Sequence, residues 1–325
     1  MEATIKDVAR ESGVSTMTVT RAFRSDALVS TETRRKVLDA AKKLNYRPNL
    51  SARVLRGGSS RSVGILLSNP AGNSIVRRIS EKLLPDNYVT YIVESLGDLN
   101  IIHSALQEFE NRRVDAIVME WRPNFFPLEP LIERHKNVIL FTREGRPEYP
   151  CDCCFLDYKP AIREAVEYLL WRGRRNIYYL GREDTVEIRD MKKVLEGFRL
   201  PFNHIETSLF RSKPAFANYY DALKTALRSG KRPDVVFTFG DMAAMQVCRC
   251  VADFGLKVPG DIAVIGHGNN DFSEFMQPPI ASLEGFADKV AEKVCDMLVN
   301  RLQNPDSSKR SSTVEAEFIK RASAG

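Results

Sequence analysis

The sequence predicts two architectures in series, a short all-helical module followed by a doubly wound α/β core, so the fold class is α + α/β. Three observations carry this. Helix start and stop residues recur closely within the first 48 residues, and from Ser62 onward continuous apolar runs alternate with amphipathic stretches. The third is charge. Residues 1–61 hold 13 Lys+Arg against 6 Asp+Glu, an excess of +7, whereas the whole 325-residue chain is +6, which leaves −1 for the other 264 residues. A basic module joined to a near-neutral core is the footprint of a phosphate-binding domain.

Thr4 and Asp7 are spaced as a capping box, opening a helix in which Ile5, Val8 and Ala9 share one face. Ser12-Gly13 ends it, glycine being the residue best able to turn left-handed, and Ser15 caps a second short helix whose Val19, Ala22 and Phe23 face the first. Two short helices about a tight Gly turn make a helix-turn-helix. A third helix runs from a Ser30 cap with Val37, Ala41 and Leu44 on one face, and Pro48 prevents its continuation. The outward face of the second helix carries Thr16, Met17, Thr20 and Arg21. These side chains can read base edges in a major groove, and the plain alternative is a three-helix packing module with a solvated polar face.

The run Thr4-Ile5-Lys6-Asp7-Val8-Ala9, then Gly13-Val14-Ser15, Thr18-Val19, Arg21, Val29-Ser30-Thr31-Glu32-Thr33-Arg34, Leu44-Asn45-Tyr46-Arg47-Pro48-Asn49 and Leu55-Arg56-Gly57, resembles the lactose/galactose repressor family of bacterial transcription regulators. The resemblance is nearly continuous over about 58 residues, far more specific than a lone motif. It implies DNA contacts from Thr4, Ser15, Thr16, Met17, Thr18, Thr20 and Arg21, with Thr16 and Met17 at the positions that most often decide operator sequence. It also implies a hinge helix over residues 49–56, bringing Asn49, Ala52, Arg53, Leu55 and Arg56 to the minor groove with Leu55 as wedge. About eight residues are too few to hold a helix alone in water, which expects the hinge to form only on DNA. An apolar side chain between Arg53 and Arg56 suits a minor-groove kink, the alternative being that Leu55 packs on the following domain.

Beyond the linker, apolar runs at 63–67, 88–93, 114–119, 138–141, 177–180, 235–239 and 262–265 alternate with amphipathic stretches near 74–84, 99–112, 160–172, 214–228, 242–254 and 287–302. Continuous apolar strands are what a parallel sheet covered on both faces requires. Pro160 and Gly173 bracket one helix, Asp241 and Gly255 another. Thinner resemblance continues at Asn111-Arg112-Arg113-Val114-Asp115-Ala116-Ile117, Leu195-Glu196-Gly197-Phe198, Arg232-Pro233-Asp234-Val235 and 255–266. It implies two similar subdomains like those of periplasmic sugar-binding proteins, with crossings placed near 158–160, 285–287 and 310–313. The expected domains are 1–48, a helix-turn-helix; 49–61, hinge helix and linker; and 62–325, a two-lobed effector-binding and dimerisation domain. The chain ends soon after an apolar run at 314–319 with no heptad helix, so the expected assembly is a homodimer.

Ligands of open parallel sheets bind beyond the carboxyl ends of the strands. The strand ends supply Asn69, Glu120, Thr142, Arg143, Phe155, Asp157, Arg182, Asp241 and His267-Gly268, each of which equally suits a solvated loop, and Asp241 a helix N-cap. Effector contacts are expected from Asn69, Thr142, Arg143, Phe155, Lys192, Asp241 and His267. Two departures from the family stand out. Lys192 replaces an arginine that often grips a sugar hydroxyl, and Gly266-His267-Gly268-Asn269 replaces Gly-Phe-Asp-Asp, removing a carboxylate. With Arg143, Arg182 and Lys192 remaining as cations, the expected effector is sugar-related and anionic.

No apolar run approaches a membrane span and the N-terminus has no signal-peptide core, so a cytoplasmic protein is expected. Cysteines at 151, 153, 154, 248, 250 and 295 lack the C-x2-C pairs of structural zinc and read as reduced thiols, with an oxidation response at 151–154 if exposed. One rival reading is a nucleotide- or sugar-dependent α/β enzyme, with His267 in its Gly/Asn loop as base or merely as a hydrogen-bonding imidazole. No G-x-G-x-x-G follows the first strand, no Walker loop is present, and no catalytic constellation has motif support, so neither enzymatic activity nor a cofactor is expected. A periplasmic solute-binding protein is the other rival, opposed by the basic module. The expected function is a sequence-specific transcription repressor, with pseudo-palindromic double-stranded DNA and a small molecule as its partners.

Overall fold

The computed structural model describes residues 3–23, 28–46, 59–67, 73–95, 98–121, 129–135, 137–143, 145, 148–182, 186–207, 216–285 and 287–325. They form two compact units, Met1–Ser60 and Arg61–Gly325.

In the first unit, α1 (Ile5–Ser12), α2 (Thr16–Ala22) and α3 (Thr31–Lys43) enclose a small core of Val8, Val19, Ala22, Val37, Ala40 and Ala41. Local chemistry sets each boundary. The Asp7 carboxylate accepts from the Thr4 amide at 2.9 Å and its hydroxyl at 2.7 Å, and Gly13 turns left-handed at φ 67°. Ser15 and Ser30 then accept from the amides of Thr18 and Thr33, capping α2 and α3. Arg34 donates to the Ala22 carbonyl at 2.7 Å, tying the end of α2 to α3.

The second unit holds two six-stranded sheets. The N-terminal lobe orders β11 (Ser311–Glu315), β5 (Asp152–Asp157), β4 (Val138–Thr142), β3 (Ala116–Glu120), β1 (Ser62–Leu67) and β2 (Val89–Glu94), all parallel. The C-terminal lobe orders β12 (Glu317–Ile319), β10 (Ala281–Glu284), β9 (Ala263–His267), β8 (Val235–Thr238), β6 (Ile177–Gly181) and β7 (Asn203–Glu206), with only β12 antiparallel. The connecting helices are α4 (Asn73–Leu83), α5 (Leu99–Asn111), α6 (Glu129–Arg134), α7 (Lys159–Trp171), α8 (Val186–Gly197), α9 (Phe216–Arg228), α10 (Asp241–Asp253) and α11 (Ala287–Gln303). β1 and β4 are buried throughout, as strands covered on both faces must be. Trp171 at the end of α7 is 77% exposed, with the Arg172 guanidinium over its ring.

The chain crosses between lobes at Tyr158, again between β10 and α11, and finally at Ala316, between β11 and β12. The first two match the sequence reading. The third does not: residues 311–315 already lie in the N-terminal sheet, and the apolar run read as one strand is two strands in different sheets. The apolar runs also missed β5, β7, β10 and the helices α6 and α8. β5 opens on Asp152, which is buried because Arg301 reaches it from α11 with two bonds of 3.0 Å, while the Arg310 amide adds a third at 2.7 Å. The same guanidinium donates to the Pro305 and Ser307 carbonyls, so one residue pins the loop that leads into β11.

All six cysteines are buried, and burial pushes the Cys154 and Cys248 thiols up to about 12. Thiolate chemistry is thereby suppressed at Cys154, and its neighbours Cys151 and Cys153 are buried as well, so the exposure that an oxidation response at 151–154 requires is absent. Among the described residues no helix is long and apolar enough to cross a membrane.

Removing one partner of a buried ion pair leaves the other charge uncompensated. We expect Arg301→Ala to destabilise the N-terminal lobe by roughly 3–5 kcal/mol in urea unfolding, with Asp152→Asn in the same chain recovering part of the loss. Equal stability of the parent and Arg301→Ala would show that the pair does not hold the lobe.

Candidate functional site

Two sites follow from the two units. In the first, Thr16, Met17, Thr20 and Arg21 are exposed along α2, Met17 at 62%. The hydroxyls divide into two roles. Ser15 and Thr18 face each other at 2.9 Å within the cap, and Thr20 donates back to the Thr16 carbonyl at 2.9 Å. Thr4 is engaged with Asp7. Ser15, Thr18 and Thr4 therefore shape the helix ends, while Thr16, Met17 and Arg21 present the outward surface. Asn49, Ala52, Arg53, Leu55 and Arg56 lie outside the described residues, as does Asn69.

In the second unit, side chains following the carboxyl ends of both sheets meet. Arg143 follows β4, Tyr158 follows β5, Phe239 follows β8, His267 ends β9 and Glu187 opens α8 after β6. Arg143 Nη1 donates to Glu187 Oε1 at 2.5 Å, an ion pair between one lobe and the other. The Arg143 guanidinium lies 4.9 Å from the Tyr158 ring centre and 5.9 Å from that of Phe239. The His267 ring stands 4.3 Å from Tyr158 and 5.9 Å from Phe239, closing the cluster. The strand ends of the two sheets thus face one another, as open parallel sheets require of a ligand site.

The electrostatics follow from this packing. Burial works against the charge of Arg143, but Tyr158, Glu187 and Glu120 outweigh it and hold its pKa above the usual arginine range. Burial pushes the Tyr158 phenol up to about 12, with Arg143 opposing and Glu284, Glu187 and Asp241 reinforcing. Two buried polar atoms have no hydrogen-bond partner among the described residues in this cluster, Glu187 Oε2 and His267 Nε2.

The other predicted residues are distributed differently. Phe155 pairs across the sheet with Thr142, the residue before Arg143, and the Lys159 ammonium lies 5.5 Å from its ring. Thr142 is buried and donates to the carbonyl of Trp121, itself 5% exposed, at 2.8 Å, so its hydroxyl is spent within the N-terminal lobe. Asp241 is fully buried and is not the N-cap, which is Gly240. Its oxygens accept from the Asn270 amide at 2.6 Å, the Ser273 hydroxyl at 2.8 Å and the Ser282 hydroxyl at 2.6 Å. It braces the loop after β9 from within. Lys192 is exposed, its ammonium 5.0 Å from the ring of Phe202, which precedes the amino end of β7. That places Lys192 away from the strand ends. With Lys192 displaced and Arg143 already paired, the charge argument for an anionic effector loses two of its three cations. Sequence reasoning missed Tyr158, Glu187 and Phe239; Tyr158 was legible as a crossing residue, while nothing in the sequence paired Glu187 with Arg143 across 44 residues.

Burial, with Arg143 adding to it, holds His267 well below the ordinary histidine value of 6.5. Below that pH the unfolded chain takes up a proton that the folded chain refuses. His267 therefore leaves stability untouched above pH 6.5 and lowers it by up to about 1.4 kcal/mol per unit as pH falls further. Asp190, raised to about 6 by burial, acts with opposite sign, since the folded chain holds its proton up to a higher pH. Comparing the parent with His267→Phe cancels that contribution. Between about pH 6.5 and about pH 5.5, urea unfolding should show the parent losing about 1 kcal/mol relative to the variant, and parallel pH profiles would contradict a neutral buried ring.

Residues 4–49 match the family described as bacterial regulatory proteins, lacI family, and residues 166–324 match a periplasmic binding protein-like domain. The ribose operon repressor of Escherichia coli (strain K12) is 28% identical over 337 residues, covering 99% of this chain and 100% of that protein. The HTH-type transcriptional repressor PurR of Aliivibrio fischeri (strain ATCC 700601 / ES114) is 25% identical over 335 residues, covering 99% and 98%. Among solved structures, the lac repressor dimer bound to operator and the anti-inducer ONPF superimposes with a TM-score of 0.83 at 22% identity, over 100% of this chain and 99% of that one. A Lacl family transcriptional regulator from Silicibacter pomeroyi gives 0.82 at 20%, over 99% of each. The chain thus carries the DNA-binding module of the lacI family of bacterial regulatory proteins, followed by a periplasmic binding protein-like domain.

Proposed function

We propose that the protein is a sequence-specific transcription repressor that binds a pseudo-palindromic operator as a homodimer and responds to a small polar effector held between the lobes of its core. The exposed row Thr16, Met17 and Arg21 on a properly capped α2, in the part of the chain that carries the whole positive excess, supports this reading most. Such a helix enters a major groove with its first residues toward the bases. Arg53, Leu55 and Arg56 take the minor-groove role, with Leu55 as the wedge. The ribose operon repressor, the PurR repressors and the operator-bound lac repressor dimer, as named, make a repressor on operator DNA the natural reading. A protein that works on operator DNA acts in the cytoplasm, and no catalytic role is proposed for His267.

A homodimer is supported by apolar surface on both lobes. Val89 and Ile92 on the edge strand β2 are 59% and 48% exposed, and Phe275 is 81% exposed. A cavity of about 690 Å³ in the C-terminal lobe is lined by Met245, Leu256, Val258 and Met276 beside Phe275. An unpaired edge strand and an apolar concavity of this kind are what a second copy covers. The effector occupies the cleft around Arg143, Phe155 and His267, and by preferring one arrangement of the lobes it shifts the balance between operator-competent and incompetent forms.

Selection of genomic fragments on the purified protein tests the reading. The enriched sites should be pseudo-palindromes with the hinge at their centre, and sites without inverted symmetry would sink the proposal. Substitutions at Thr16 and Met17 should move base preference by about 1–3 kcal/mol at single positions, whereas Arg53→Ala or Arg56→Ala should weaken all sites and reduce the salt slope by about one. Leu55→Ala binding as tightly as the parent would remove the wedge.

A further inference from the structure

In the effector cleft two buried polar atoms have no hydrogen-bond partner among the described residues, and they differ in what they can accept. Glu187 is 7% exposed; its Oε1 is committed to Arg143, and its Oε2 meets no donor among the described residues. A carboxylate oxygen only accepts, and a buried acceptor left bare is costly, so a ligand that fills this place brings a proton to donate. The second atom is His267 Nε2, also 7% exposed, on a ring set between Tyr158 and Phe239. Burial keeps that ring uncharged at neutral pH, so its nitrogen donates or accepts according to tautomer.

The charges around these atoms are unequal. Glu120 and Glu187 act on Arg143, and Glu284, Glu187 and Asp241 act on the neighbouring Tyr158, so the carboxylates acting on these two residues outnumber the one arginine between them. Arg143 is already neutralised by Glu187 and covered by two aromatic rings. A carboxylate or phosphate arriving here finds no uncommitted positive charge on Arg143, has no proton for Glu187 Oε2 and meets like charge. A hydroxyl both donates and accepts, so neighbouring hydroxyls of one small molecule serve Glu187 Oε2 and His267 Nε2 together. An ammonium group would satisfy Glu187 but press against Arg143.

We infer that Glu187 sets the charge selectivity of the cleft: with Oε1 held by Arg143, its Oε2 receives a hydroxyl of an uncharged polyhydroxylated effector and turns away the acid and phosphate forms of the same compound. This rests on the reading of the interlobe cleft as the effector site and replaces the anionic effector expected from the sequence. His267 acts beside Glu187 as the second hydrogen-bonding point, without deciding charge.

The test is thermal shift of the full-length protein against neutral pentoses and hexoses, their aldonic acids, their phosphates and their 2-amino forms. At least one neutral sugar should stabilise the parent while its charged forms do not. Glu187→Gln keeps the size but replaces the bare acceptor with a donor amide, so it should weaken the neutral sugar at least about tenfold and gain a response to the aldonic acid. Glu187→Asp retains the charge and should lose affinity while still rejecting acids. His267→Gln should weaken the neutral sugar without admitting the acid. A charged form stabilising the parent more than the neutral one, no response to any neutral sugar, or Glu187→Gln keeping the parent's full response would each overturn the proposal. Cooperative melting of each variant without ligand excludes misfolding as the cause. Genomic-fragment selection on the parent reads the regulator assignment separately, since enriched operators with the wrong sugar selectivity would sink this inference alone.

Discussion

The contact between Tyr158 and Gly285 governs the second unit. Tyr158 is the first crossing between the lobes, and Gly285 stands where the chain returns. A Cβ at Gly285 would lie 2.2 Å from the Tyr158 hydroxyl oxygen, so the two crossings are pressed together with no space for a methyl group. The same ring carries Arg143 on its face and His267 at its side. One aromatic side chain therefore packs the connection between the lobes and forms a wall of the cleft they enclose. Interiors packed this closely move between discrete arrangements and do not deform smoothly, which is what allows a small ligand to bias a whole lobe.

The helix-turn-helix was legible because its determinants are local. Thr4 with Asp7, Gly13, Ser15 and Ser30 act within three or four residues of their partners, and the structure forms the helix ends they foretell. The core was legible wherever a strand is continuously apolar, as in β1, β4 and β8. It became illegible where burial depends on distant partners. Asp152 can begin a buried strand only because Arg301 lies against it, and no window of sequence contains both. Ala316 separates two strands of different sheets without any break in composition, since a single residue joins them and no Gly, Pro or Asn marks the crossing.

The candidate site shows the same division. Arg143, Phe155 and His267 could be placed from the sequence at the carboxyl ends of their strands, since a parallel sheet puts those ends on one side. What each side chain does there depended on cross-lobe partners. Asp241 offered a free carboxylate by sequence and is consumed by Asn270, Ser273 and Ser282, while Lys192 offered a cation and lies over Phe202. Glu187 carried no motif at all and makes an ion pair between the lobes.

The chain has two tryptophans, and the fold puts them in opposite surroundings. Trp121 is 5% exposed, and its carbonyl holds the hydroxyl of Thr142, the residue immediately before Arg143. Trp171 stands in solvent at the end of α7. An indole shielded from water emits at shorter wavelength and is sheltered from aqueous quenchers, so iodide silences Trp171 first and leaves Trp121 to report. The protein thus contains a native optical probe one residue away from the base of the cleft, readable without labelling.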